Sequence, residues 1–179
     1  MRLFLLLAFM LLFFNGCASK KVQTPPNNPS LIPHYTNKEI PQYQTNDDTI
    51  RLKTDKDAVL LALYNEYKKW NHTPYKYGGT SKYGVDCSSL VQQVYFNALR
   101  VPVPRTTLLQ SKIGYRVKKH SAQTGDLLLF KTGRHTRHSG IYLQDGDFIN
   151  ASSSHGVTIS NLNNPYWRSK YWQTRRILP

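Results

Sequence analysis

Among the side chains suited to nucleophilic and acid–base chemistry, Cys87 stands where such chemistry would need it. It follows a glycine-rich turn and an aspartate in YGGTSKYGVDCSSLVQQVYFNAL, residues 77–99. Leu90, Val91, Val94 and Ala98 fall on one face at helical spacing, while Gln92, Gln93 and Asn97 fall away from it. The spacing predicts a helix capped by Asp86, with Cys87 at its first position. Unpaired backbone N–H groups and the positive end of the helix dipole favour a thiolate there. A small buried residue opening a core helix would show the same pattern. A thiolate nucleophile also needs a base. His34 lies in a proline-rich stretch, and His72 and His120 lie in loops; His138 opens a β-prone run, RHSGIYL, where a strand can aim its ring. Taken alone, a histidine of this kind is more often a surface or hydrogen-bonded structural residue.

The elements that must position these groups follow from the hydrophobic pattern. Thr54, Asp55, Lys56 and Asp57 form a capping-box pattern, and Leu60, Leu63, Tyr64 and Tyr67 define an amphipathic helix ending near Trp70. The globular domain is expected to begin here, over residues 55–179. After the cysteine helix, Val101-Pro-Val-Pro-Arg-Thr-Thr breaks the helical period, and residues 107–114 can add a short turn of helix. The second half changes period. Residues 126–130, 139–144, 148–151, 157–160 and 173–178 are short β-prone runs between turn residues. Helices followed by strands predict an α+β domain.

The 179 residues carry 24 Lys and Arg against 10 Asp and Glu, a net charge of +14. From residue 57 onward there are 17 basic and 6 acidic residues, so the excess belongs to the domain as well as its leader. Such a charge fits an anionic partner: nucleic acid, membrane lipid or an acidic polymer. An N-terminal export signal and the absence of a basic–aromatic recognition motif argue against nucleic acid. Two cysteines, Cys17 and Cys87, make neither a disulfide framework nor a multi-cysteine zinc site, and the histidines lack HExxH-type spacing. No metal and no cofactor are expected.

The apolar run of residues 3–14 has signal-peptide length, short of a spanning helix. It ends in FFNGCAS, which resembles a bacterial lipobox. The resemblance implies cleavage before Cys17, so that residues 1–16 are a lipoprotein signal peptide, and lipidation of the Cys17 thiol. Ala18 and Ser19 in place of an aspartate imply the outer membrane, with the domain on its periplasmic face. Residues 17–54 hold half of the prolines among Asn, Gln and Thr and read as a flexible linker.

The motifs YGGTSKYGVDCSSLV, VPRTT, TGDLLLF, RHSGIYL and DGDFINAS, with the NPYW…YWQTRRIL ending, occur in the order found in the NlpC/P60 peptidases. The chain from about residue 57 onward resembles that family, most closely its NlpC lipoprotein branch. The resemblance implies a papain-like fold with N-terminal helices packed on an antiparallel β-sheet and a catalytic cysteine at a helix N-terminus. It makes Cys87 the nucleophile and His138 the base, and puts Asn150 where the family more often has histidine; His155 is a weaker candidate for that third place. Tyr77, with the backbone N–H of Cys87, is a candidate oxyanion donor, or else a buried structural tyrosine. Asp86 and Ser88 are candidates for substrate contact, although capping explains both. Arg105 is a candidate for a substrate carboxylate, or for pairing with Asp126. Ser89 stands where the family usually has glycine, a close-packing position. Tyr166, Trp167, Tyr171 and Trp172 read as core.

The hairpin between His138 and Asn150 must meet one geometric requirement. A strict two-residue turn at Asp145-Gly146 would pair residues 144 and 147 and place His138 and Asn150 on opposite faces. Pairing 143 with 147, through a three-residue loop with Gly146 left-handed or an equivalent bulge, puts Asn150 opposite residue 140. It then shares a face with His138 one diagonal step away.

The activity this implies is hydrolysis of peptidoglycan stem peptides through a thioester. The bond is either γ-D-glutamyl–diaminopimelate or a D-alanyl–diaminopimelate cross-link. A non-catalytic cell-wall-binding lipoprotein on the same fold is the competing reading.

Overall fold

A computed structural model of the protein describes residues 48–178, with the backbone alone over 48–54. The signal segment, Cys17 and the linker as far as residue 47 lie outside the described residues. Helix α1 (Asp48–Trp70) leads into a two-stranded hairpin, β1 (Thr80–Ser81) and β2 (Gly84–Val85), and then into α2 (Cys87–Leu99). A short α3 (Thr107–Gln110) and β3 (Tyr115–Val117) follow. The second half supplies β4 (Leu127–Lys131), β5 (Arg137–Tyr142), β6 (Asp147–Ser152), β7 (Gly156–Asn161), α4 (Pro165–Lys170) and β8 (Tyr171–Arg176).

The α+β expectation holds, and so do the five longer strands to within a few residues. Helix α1 differs. It runs back through the Thr54 box to Asp48, so the last seven residues expected in the linker are helical. That stretch contains no glycine or proline to stop a helix. The hairpin β1–β2 and strand β3 were not anticipated; at two or three residues each they carry no readable alternation.

Six strands form one antiparallel sheet in the order β3-β8-β4-β5-β6-β7. Alternation gives the sheet two apolar faces. Leu127, Leu129, Ile141, Ile149, Ala151 and Val157 pack with Leu63 and Trp70 of α1 and Leu90, Val91, Val94 and Tyr95 of α2. Leu128, Phe130 and Phe148 form a second cluster with Leu162 and Trp167. Burying each large apolar side chain contributes about 1.5–3 kcal/mol, so packing rather than propensity holds a short helix such as α2 in place. The helices are also tied through Glu66, buried in α1. It accepts from Trp70 Nε1 at 3.0 Å and from Asn97 Nδ2 of α2 at 3.0 Å, and pairs with Lys69 at 2.8 Å. The result is a rigid platform for the first residue of α2.

Candidate active site

Asp86 caps α2 as the sequence predicts: its Oδ1 accepts from the Ser89 N–H at 2.7 Å, and Cys87 is the first helical residue. Cys87 is 7% exposed. Burial pushes its thiol up, but the His138 imidazole beside it, the Ser139 backbone N–H and the Thr107 hydroxyl outweigh that and bring it down to about 7. Thr107 Oγ1 lies 3.8 Å from the sulfur and is delivered by α3, whose own cap is Thr106. The sulfur therefore carries a large thiolate fraction at neutral pH.

His138 and Asn150 meet because of one extra residue. The Asp147 N–H bonds the Gln144 carbonyl at 2.7 Å, closing a tight turn over Asp145 and Gly146, whose φ values are 53° and 89°. The Leu143 N–H, however, bonds the Asp147 carbonyl at 2.8 Å, so Gln144 is bulged and 143 opposes 147. Gly140 then faces Asn150, and the register continues through Ile141–Ile149 and Tyr142–Phe148. This is the arrangement that a shared face requires. His138 Nε2 lies 3.2 Å from Asn150 Oδ1. Asn150, fully buried, donates from Nδ2 to Ser160 Oγ at 2.9 Å and to the Thr158 carbonyl at 3.4 Å. A carbonyl can only accept, so these bonds fix the amide with Oδ1 toward the imidazole. Nε2 carries the proton donated to Asn150, and Nδ1 is left for the thiol. Gly140 is also needed here: a Cβ on it would lie 2.7 Å from the Ile149 carbonyl oxygen and from the Phe148 ring.

Other candidates move. Arg105 pairs with Asp86, not Asp126: Nη2 lies 2.7 Å from Oδ2 and Nη1 3.0 Å from Oδ1. Asp126 is taken by Arg176 at 2.9 Å, from a strand far away in sequence. Ser88 donates to Asp86 and accepts from Arg105, both at 3.0 Å. Asp86 also accepts from the Gly78 N–H at 3.1 Å, so these three residues form a closed cluster bracing the cysteine's turn. Burial pushes the Asp86 carboxyl up, but Arg105, the Ser89 N–H and Ser88 outweigh it and hold it below the usual carboxylate range. Ser89 is fully buried in its glycine-like position, with no partner for its Oγ among the described residues.

Arg105→Met is expected to lower the unfolding free energy by about 1–2 kcal/mol at pH 7, less than for a fully buried pair because Arg105 is partly exposed. A carboxylate with a lowered folded pKa contributes stability above its unfolded pKa, about 3.9, and loses it as pH falls through the folded value. The deficit in urea titrations should therefore shrink toward pH 3. An equal deficit at both pH values would contradict the ion-pair account.

Tyr77 is corrected. It is 92% exposed, in a turn leading to Gly78 at φ 73°, and lines an open depression with Lys76 and Tyr83. Tyr75, half-buried and bridged to Val85, is the tyrosine whose phenol feels the Cys87 charge. Burial first, then the charges of Cys87 and Asp86, push its phenol up, so it stays protonated and able to donate. The extended run ends at Lys76, where the Gly79 N–H turns back to the Lys76 carbonyl at 2.9 Å. The Tyr-x-Tyr spacing offered both rings, and only the turn separates them. His155 bonds Ser154 Oγ at 2.7 Å instead of joining His138. Among the described residues no group of three His, Cys, Asp or Glu side chains could hold a metal ion, and no helix is long and apolar enough to cross a membrane.

Residues 72–176 match the sequence profile of the NlpC/P60 family. A protein of Haemophilus influenzae named a probable endopeptidase is 41% identical over 140 residues, which cover 75% of this chain and 87% of that protein. The Escherichia coli murein DD-endopeptidase MepS/murein LD-carboxypeptidase is 40% identical over 120 residues, covering 67% of this chain and 64% of that protein. A crystal structure of an NlpC/P60 family protein from Bacillus cereus superposes with a TM-score of 0.61 at 33% identity, over 67% of this chain and 40% of that one.

Proposed function

The chain belongs to the NlpC/P60 family, and on that premise we propose that it is a peptidoglycan endopeptidase using Cys87 as its nucleophile. The observation that carries this reading is a thiol brought to about 7 beside a histidine whose far nitrogen is held by Asn150. The Cys87 thiolate attacks the carbonyl carbon of a stem-peptide amide. The oxyanion is met by the Cys87 backbone N–H and by the Tyr75 phenol, in place of Tyr77. The proton on His138 Nδ1 passes to the leaving amine, a thioester remains, and water deprotonated by His138 hydrolyses it to free the carboxylate. The relative named a murein DD-endopeptidase makes the D-alanyl–diaminopimelate cross-link the first bond to test.

The setting belongs to the same proposal. Residues 1–16 direct export, Cys17 carries the lipid, and the domain works from the periplasmic face of the outer membrane. Its positive charge suits a polymer rich in free carboxylates. Purified protein incubated with cross-linked muropeptides should release monomers, identified by mass spectrometry. Equal products from Cys87→Ala would defeat the cysteine mechanism. An unmodified Cys17 at the mature N-terminus would defeat the anchor.

A further inference from the structure

We propose that Trp167 is a positioning residue for the catalytic pair: its indole face holds the His138 ring in place and lies against the positive charge that the imidazole takes on during turnover. The ring centroids of His138 and Trp167 lie 5.0 Å apart with their planes 27° from parallel, a stacked pair. Phe130, opposite His138 in the sheet register, approaches less closely, at 6.1 Å and 48°. Trp167 is itself fixed edge-on by Phe148 at 5.3 Å and Tyr166 at 5.0 Å, and tilted against Phe130 at 4.9 Å. Its Nε1 is buried with no acceptor among the described residues, so packing rather than hydrogen bonding sets the ring's orientation. A phenylalanine would avoid that orphaned donor but present a smaller face to His138.

The chemistry follows from the third catalytic position. Asn150 is neutral, so it orients the imidazole without supplying a charge to stabilise an imidazolium. The negative face of an indole does favour a cation lying against it, and indole does so better than the other aromatic rings. The groups facing His138 are Cys87 from α2, Asn150 from β6, Phe130 from β4 and Trp167 from α4. The adjacent Arg137 guanidinium lies over Trp172, 5.6 Å from its centroid. Trp167 thus supplies part of the electrostatic support that Asn150 does not.

This inference rests on the Cys87–His138 reading, and its test separates the two. In the full-length chain, iodoacetamide modification of Cys87 is followed against pH by peptide mass spectrometry, alongside muropeptide turnover. Fluorinated tryptophan placed at position 167 keeps the shape and weakens the ring face. It should move the acid limb of Cys87 modification up by about half a pH unit, stepwise with fluorine number. Trp167→Leu should lower kcat by about tenfold with KM within twofold, and Trp167→Phe should recover part of that loss. A wild-type limb near the ordinary thiol value would overturn the catalytic reading itself. A wild-type limb near 7 that fluorination leaves in place would overturn only the role of Trp167.

Discussion

Cys87→Ser is expected to abolish turnover, lowering kcat/KM by at least about 10⁴-fold, or about 5.5 kcal/mol of transition-state stabilisation. The substitution is nearly isosteric. It leaves the Asp86 cap intact, and a hydroxyl can still meet the Ser139 N–H and Thr107. What it removes is acidity. The thiol at this site is brought to about 7, so a neutral solution holds a ready thiolate. A serine hydroxyl must instead lose its proton to His138 during attack, and Asn150 offers no charge to help the resulting imidazolium. Turnover by the unaltered chain should for the same reason fall as pH drops below about 7, with the thiolate fraction. Muropeptide kinetics and thermal melts together check the result: full stability with no products is expected, and residual activity within a hundredfold would contradict a cysteine mechanism.

Asn150→Ala is expected to cost about 10²-fold in kcat/KM, because the imidazole loses the acceptor that fixes its tautomer and its angle. Asn150→His should stay within about tenfold of the unaltered chain. A neutral imidazole offers one acceptor and one donor, so it can accept from His138 while keeping one of the two donations that Asn150 makes, to Ser160 or to Thr158. Steady-state kinetics on cross-linked muropeptides distinguishes the variants. If Asn150→Ala were as active as the unaltered chain, His138 would be oriented by something else and the third assignment would fall.

These residues differ in how far the sequence disclosed them. The cap at Asp86, Cys87 at the helix start and the shared face of His138 and Asn150 were legible because each depends on local spacing or on the parity of one hairpin. The pairing of Arg105 with Asp126, offered beside a substrate carboxylate, gave way to Asp86 because its partner is chosen by chain crossings that no local pattern encodes. Tyr75 was missed in favour of Tyr77 because a turn at Gly78 overrides the alternation of the extended run. Trp167 was correctly read as core, yet its contact with His138 depends on where α4 returns across the sheet. Thr107 needed α3 to be placed against α2 before its hydroxyl meant anything.

The bulge at Gln144 carries a consequence for how this hairpin can change length. What brings His138 and Asn150 together is that paired residue numbers sum to an even total, as 143 with 147 and 140 with 150 do. Excising Gln144 would leave Leu143 and Asp147 directly flanking the same Asp145-Gly146 turn, and the partners beyond it would not change. Adding one residue within the paired stretch between Asp147 and Asn150, with the pairs nearer the turn kept, would instead set Asn150 one place out of step with Gly140 and send the amide to the opposite face of the sheet. The hairpin is therefore tolerant of losing a residue at one point and intolerant of gaining one a few positions later, although neither edit touches a catalytic side chain.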